Sequence, residues 1–260
     1  MKDSIEKRKN FCLFVNVDWF VLSHFSDYLK NIMTQDIDVT VITLNTGRCN
    51  EIRALGVNVV EINLHRGYSN LLSEFSSLIK IYRILRSVSP DVLELITIKA
   101  VVYGGLVSKL LKINKTVFYM SGLGAIFTNH TTLGRLKAAI ITNLYKFIMR
   151  SSSTEVIVEN DDDKHIFTSA VRLTETQVHL IPGVGVDMNQ FSPENLRISR
   201  NLRVAMVSRL LYDKGVLEFV EAAKLCKSTR PEVEFLLVGD TDPTNPASVS
   251  QKDLEDFRRD

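Results

Sequence analysis

The sequence predicts an α/β protein: a complete doubly wound parallel sheet followed by the beginning of a second unit of the same kind. Short apolar runs rich in β-branched residues recur along the chain, helical patterns fill the intervals, and the alternation restarts after Phe191. Strands buried on both faces read as such continuous runs, and strand-helix alternation places helices on both faces of a parallel sheet.

FCLFVNV (11–17) predicts the first strand. Following MKDSIEKRKN it imitates a secretory signal, but Asn16 and Asp18 break the apolar run and no small-residue cleavage site follows. A helix is expected after Trp19. DVTVITL (38–44) and VNVVEIN (57–63) are the next strands. LLSEFSSLIKIYRILRSVS then places Leu71, Leu72, Phe75, Leu78, Ile79, Tyr82 and Leu85 on one helical stripe and stops at Pro90. DVLELI (91–96) is followed by a helix over 99–112, and TVFYM (116–120) by one over 133–150. TEVIVE (154–159) leads to the acid-rich NDDD, where Asn160 is a natural N-cap and the acids suit the positive helix end. VHLI (178–181) closes a domain of residues 1–181, and 182–200 reads as a linker. The domain over 201–260 opens with NLRVAMVS (201–208), an amphipathic helix over 214–228 and VEFLLVG (233–239). After a turn, a serine cap starts a last helix. Two parallel strands expose apolar faces and a bare edge, so this second domain is expected to be incomplete.

With 260 residues, 45% apolar and 24% charged, the composition is that of an ordinary globular protein, for which disorder is not the default reading. The net charge of +2 is unevenly spread. Between Leu95 and Thr154 there is no acid against eight bases, Lys99, Lys109, Lys112, Lys115, Arg135, Lys137, Lys146 and Arg150, which predicts a strongly positive surface region. Over 133–150 the apolar residues Leu133, Leu136, Ile140, Ile141, Leu144, Phe147 and Ile148 fall on one arc, with Arg135, Lys146 and Arg150 on its flank. Such a helix can rest on an anionic membrane, or lay its stripe on its own sheet. Cys12, Cys49 and Cys226 are odd in number and far apart, which predicts reduced thiols rather than disulfides or a metal site. No run reaches the roughly 18 apolar residues of a membrane span, and a cytoplasmic location is expected. His65, His130, His165 and His179 lack metal-ligand spacing, so no metal is expected.

Ligands of open α/β sheets sit at the carboxyl ends of the strands. NVDWFVLSH (16–24) offers Asp18, Ser23 and His24 to a ligand, or else Trp19 and Phe20 are core and His24 is surface. MSGLGAIF (120–127) offers Ser121, Gly122 and Gly124 for close backbone approach, or a turn that needs positive φ. In SRLLYDKG (208–215), Arg209 and Lys214 stand before a helix N-terminus, where a diphosphate would meet guanidinium, ammonium and free N–H groups; a solvated loop is the alternative. GDTDPTNP (239–246) places Gly239 at the end of the last strand. The chain carries no P-loop, GxGxxG, nucleophile elbow or HExxH.

IPGVGVDMNQFSP (181–193), followed by VAMVSRLLYDKGVLEFVEAAKL and VEFLLVGD, resembles the retaining nucleotide-sugar glycosyltransferases of the GT-B fold. In that family such a segment is the hinge between two Rossmann-like halves, an acceptor domain and a donor domain. The resemblance implies that Arg209 and Lys214 grip the donor diphosphate, and that Gly122, Gly124 and Gly239 border the cleft with Ser121. N-x-D-W-F-x-x-S-H, S-G-L-G-x-x-F and G-D-x-D-x-x-N-P-A-S are similar to bacterial members that extend sugars on undecaprenyl diphosphate for O-antigen, capsule or glycan synthesis. Asp18, Ser23 and His24 then belong to the acceptor side.

The resemblance implies transfer of an N-acetylhexosamine or related hexose from a UDP-sugar, without metal or cofactor, by a protein held peripherally at the inner membrane face and with no nucleic-acid partner. Two departures stand out. Met120 and Ser121 occupy the place where many members carry a histidine, and the family's Glu-x7-Glu pair has no counterpart in these residues. A chain cut short in its donor domain is therefore expected. The alternatives are an inactive remnant, a module that binds sugar-lipid, or a sugar-nucleotide epimerase of the same architecture.

Overall fold

The computed structural model describes residues 8–63, 71–123, 131–189, 191–192, 202–242, 245 and 247–259. Gly124, His65 and His130, singled out from the sequence, lie outside them. The chain forms two compact units, Met1–Phe191 and Ser192–Asp260.

The first unit is built on seven parallel strands, β1 (Asn10–Val15), β2 (Asp38–Thr43), β3 (Asn58–Glu61), β4 (Val92–Ile96), β5 (Lys115–Met120), β6 (Thr154–Val158) and β7 (Val178–Leu180), in the order β3-β2-β1-β4-β5-β6-β7. Its helices are α1 (Asp18–His24), α2 (Ser26–Met33), α3 (Cys49–Ala54), α4 (Leu71–Val88), α5 (Gly105–Leu111), α6 (Thr132–Met149) and α7 (Asp161–His165). Successive residues of β1 alternate between two cores: Cys12 and Phe14 pack with Leu93, Leu95 and Phe118, whereas Leu13 and Val15 pack with Val41, Phe25 and Leu29. Both faces are therefore covered, which is why the strands read as unbroken apolar runs. Asn160 caps α7 as its sequence indicates, its Oδ1 accepting from the Asp163 N–H at 2.8 Å.

The chain steps outward from β1 to β3 and then returns to lay β4 on the other side of β1. The boundary between β1 and β4 is thus the topological switch point, the place where loops diverge to opposite faces and leave a crevice.

The apolar arc expected over 133–150 divides in two. Ile141, Leu144, Tyr145, Ile148 and Met149 pack on the sheet, while Leu136, Ile140 and Phe147 are each more than half exposed. The side chains of Leu133 and Lys137 lie outside the described residues. Among the described residues, no helix is long and apolar enough to cross a membrane.

The second unit pairs β8 (Arg203–Val207) with β9 (Glu234–Val238) in parallel and adds α8 (Val216–Lys227) and α9 (Gln251–Arg259). A small core of Leu210, Val216 and Val249 holds it together, with Met206, Leu237, Leu254 and Phe257 packed around. Val204, Val207, Leu236 and Val238 stand exposed on the two strands.

Candidate active site at the carboxyl ends of the strands

Parallel pairing brings the loops after β1, β4 and β5 to one edge of the first unit. Asp18 opens α1 directly after the first of them and is fully buried. Its Oδ1 accepts from the Trp19 N–H at 2.8 Å and from the Thr46 hydroxyl, and its Oδ2 accepts from the N–H groups of Thr46 at 2.7 Å and Arg48 at 2.9 Å. Burial pushes this carboxyl up, but these hydrogen bonds together outweigh it and hold it below the usual range. Its oxygens tie the β1 loop to the loop after β2.

Ser23 and His24 are brought together. The Ser23 Oγ lies 2.6 Å from His24 Nδ1 and also donates toward the Trp19 carbonyl, while the His24 ring stacks on Phe20 at 4.2 Å. Both line an open cleft of about 930 Å³ walled by Tyr28, Asp187 and Phe191, so residues 184–188 form one side of it. Ser121 and Gly122 are exposed beyond β5, and Gly122 has φ +111°, the conformation that favours glycine.

The switch point holds two residues that the sequence reading passed over as ligand contacts, Asn16 and Thr97. Val15 and Ile96 are register partners, so Asn16 and Thr97 are the next residues of adjacent strands. Among the described residues, the Asn16 Oδ1 and Thr97 Oγ1 are buried atoms with no hydrogen-bond partner, as are Asn10 Oδ1 and Thr43 Oγ1. Thr97 also has φ +76° and opens a helix whose next turn, Ala100–Gly104, is π-helical. Two residues beyond Thr97, Lys99 pairs with Glu74 at 3.4 Å, and Glu74 also accepts from the Tyr103 hydroxyl. Asn16 could have been suspected as a polar interruption of a buried run; nothing in the sequence marks the backbone of Thr97.

In the second unit, Arg209 is exposed at the end of β8, with Nη1 3.6 Å from Asp242 of the loop after β9. Lys214 ends a 3₁₀ turn, and Gly215 at φ +85° caps α8 without any side chain on its first N–H groups. Both cations therefore precede a helix N-terminus whose N–H groups carry no side-chain cap. Gly239 has a packing reason for its identity: a Cβ there would run into the Ser208 carbonyl. Among the described residues no group of His, Cys, Asp and Glu is arranged to hold a metal ion. His179 is paired with Glu155 at 2.7 Å, and all three cysteines are free.

A doubly wound parallel sheet with its polar loops at the switch point, joined to a second parallel strand-helix unit, is the architecture of the GT-B sugar-transferring enzymes. The chain belongs to the Glycosyl transferase 4-like family, whose model matches residues 10–160. It is 25% identical, over 85% of its length and 61% of the relative's, to the N,N'-diacetylbacillosaminyl-diphospho-undecaprenol alpha-1,3-N-acetylgalactosaminyltransferase of Campylobacter jejuni. It is likewise 25% identical to the UDP-Gal:alpha-D-GlcNAc-diphosphoundecaprenol alpha-1,3-galactosyltransferase of Escherichia coli, over 68% of this chain and 47% of that enzyme. The chain thus spans about three fifths of the first relative and about half of the second. The crystal structure of Anabaena HepE in complex with UDP and glucose shares the fold, with a TM-score of 0.67 at 17% identity over 97% of this chain and 65% of that one.

Proposed function

We propose that this protein acts as a retaining glycosyltransferase, moving an N-acetylhexosamine or related hexose from a UDP-sugar to a saccharide carried on undecaprenyl diphosphate during bacterial surface-polysaccharide synthesis. The observation that carries this reading is the match to the Campylobacter enzyme, which extends over both units of the chain and whose name states a lipid-diphosphate-linked acceptor. Arg209, Lys214 and the α8 N-terminus hold the donor diphosphate and stabilise charge on it as it departs, an electrostatic role that calls for no metal. Ser121 and Gly122 border the reacting sugars, and Ser23 and His24 lie on the acceptor side.

The protein works at the inner face of the membrane, attached peripherally. The exposed face of α6 supports this: Leu136, Ile140 and Phe147 project beside Arg135, Lys146 and Arg150, a form suited to the headgroup boundary of an anionic leaflet. The test of the function is transfer of radiolabel from UDP-N-acetylhexosamines to a short-chain polyprenyl-diphosphate-linked N-acetylated sugar, followed by NMR of the new anomeric centre. Lipid-extractable label in an α linkage is expected. Label found only in water, under conditions where complete relatives turn over, would make this chain a sugar-lipid-binding module instead.

A further inference from the structure

At the opposite edge of the first unit's sheet, the amino ends of β5 and β6 border a cavity of about 370 Å³. Thr116 lines it, and from Thr116 to Met120, where β5 delivers Ser121 and Gly122, is roughly 13 Å along the strand. Lys109, Lys112 and Arg150 line the cavity and no carboxylate does. Lys109 Nζ is held in place, donating to the Phe147 carbonyl at 2.6 Å and lying 4.7 Å from the centre of the Phe147 ring. The next acid along the chain, Glu155, is taken up by Lys115 and His179. α5 and α6 both end here, with Lys112 and Arg150 as their C-terminal caps. Each helix end carries about half a negative charge, so the two offset about one of the three positive charges. About two remain. Lys112 stands at φ +53°, where glycine would end a helix without strain, so a cation is kept on this wall against the backbone's preference. On the buried side lie Ser108 and Thr116, 5% and 4% exposed, their hydroxyls bonded to each other. Two hydroxyls bring two hydrogens and only one lies between them. The other has no acceptor among the described residues.

We propose that this cavity is a binding site for a phosphate monoester, separate from the sugar-transfer site and independent of the glycosyltransferase reading. The chemistry selects the ligand class. An excess of positive charge and a spare hydroxyl hydrogen both call for a group that only accepts. A phosphate monoester brings about −1.5 to −2 charge near neutral pH and three acceptor oxygens, where a carboxylate brings one charge and two oxygens. The cavity has room for the phosphate and part of the group that carries it. Lys112 and Arg150 meet the anion from the ends of two different helices, so a bound phosphate ties α5 to α6. The same phosphate can arrive free or on a lipid headgroup. Leu110, next to Lys109, and Phe147 are exposed apolar side chains placed to meet acyl chains in the second case.

The experiment uses the 260-residue chain, isotopically labelled, observed by NMR during titration with inorganic phosphate, with dihexanoyl phosphatidic acid below its micelle concentration, and with acetate at matched ionic strength. Phosphate should shift the Lys112, Asn114, Ser151 and Ser153 amides saturably, and acetate should not. Tighter binding of the lipid, with Leu110 and Phe147 shifting as well, assigns the site to a headgroup; saturation by phosphate without an effect of the lipid assigns it to a free phosphate. Lys112→Gln and Arg150→Gln should each weaken binding about tenfold, the share of one charge-assisted hydrogen bond. Lys112→Gly separates binding from folding: it suits the left-handed backbone, so Tm is held or raised, yet binding falls as in the glutamine variant. Equal shifts with acetate, unchanged affinity in the variants, or no shift with either phosphate or lipid would overturn the site. Phosphate shifts confined to Arg209 and Lys214 would also overturn it, while leaving the glycosyltransferase reading standing.

Discussion

The Tyr28 hydroxyl donates a 2.6 Å hydrogen bond to Oε2 of Glu94, a carboxyl on the central strand β4 that is only 2% exposed. Burial raises the Glu94 pKa to about 7, and the bond from Tyr28 offsets only part of that rise. A carboxyl with a raised folded-state pKa binds its proton more tightly in the native protein than in the unfolded chain. The stabilising contribution of Glu94 is therefore fully present below pH 4.5, the ordinary value, and is lost as pH rises toward about 7. The loss amounts to about 3 kcal/mol at 1.36 kcal/mol per pKa unit. Glu94→Gln keeps an acceptor for Tyr28 and removes the titration. Urea denaturation between pH 4.5 and 8 should show the variant gaining on the wild type as pH rises; parallel profiles would mean that Glu94 ionises as freely as an exposed acid.

Asp18→Asn should destabilise by about 3 kcal/mol, in the range for breaking a buried, hydrogen-bonded charge. The substituted amide presents N–H groups where the Thr46 and Arg48 N–H groups already point. Since the folded-state pKa of Asp18 is lowered, the wild-type advantage is present above the ordinary carboxylate range and vanishes as pH falls through the folded value. Thermal melts at pH 7 and pH 3 measure it. A variant with unchanged Tm but weakened ligand binding would return Asp18 to the ligand contacts.

Arg209→Ala and Lys214→Ala should each weaken UDP binding about tenfold, and the double variant should lose less than the product of the two because both cations act on one anion. Isothermal titration calorimetry with UDP reads all four proteins. Full affinity in either single variant would remove that residue from the donor site.

Sedimentation with liposomes tests the α6 face. Binding should rise with anionic lipid and fall with salt. Replacement of Arg135, Lys146 and Arg150 by Gln should weaken it by about 3 kcal/mol, at roughly 1 kcal/mol per cation near the surface. Leu136→Ser with Ile140→Ser should weaken it at any salt concentration, because their contribution is apolar burial. No sedimentation at low salt on anionic vesicles would leave the exposed face of α6 without this partner.

The inner strands β1, β2 and β4 were legible because they are buried on both faces, so nearly every position had to be apolar and the runs betray themselves. Caps such as Asn160 were legible because their partner is three residues away. The Arg209 and Lys214 pair was visible for a related reason, being a local spacing between a strand and a helix. What the sequence could not disclose depends on residues far apart in the chain. Asp18 looks like a free loop acid until Thr46 and Arg48 arrive from the neighbouring strand's loop, and Glu94 looks like an alternation error until Tyr28 reaches it across 66 positions. The arc on α6 divided into a packed face and an exposed one only when the sheet took the side it could cover. Asn16 and Thr97 became neighbours only through the crossover that sets β4 beside β1. By itself, then, the sequence determined which segments are strands and helices and where the cations stand, since local periodicity decides those. The tertiary structure decided which polar groups are satisfied and which remain open, because a buried atom's partners are supplied by chain crossings that no local pattern records.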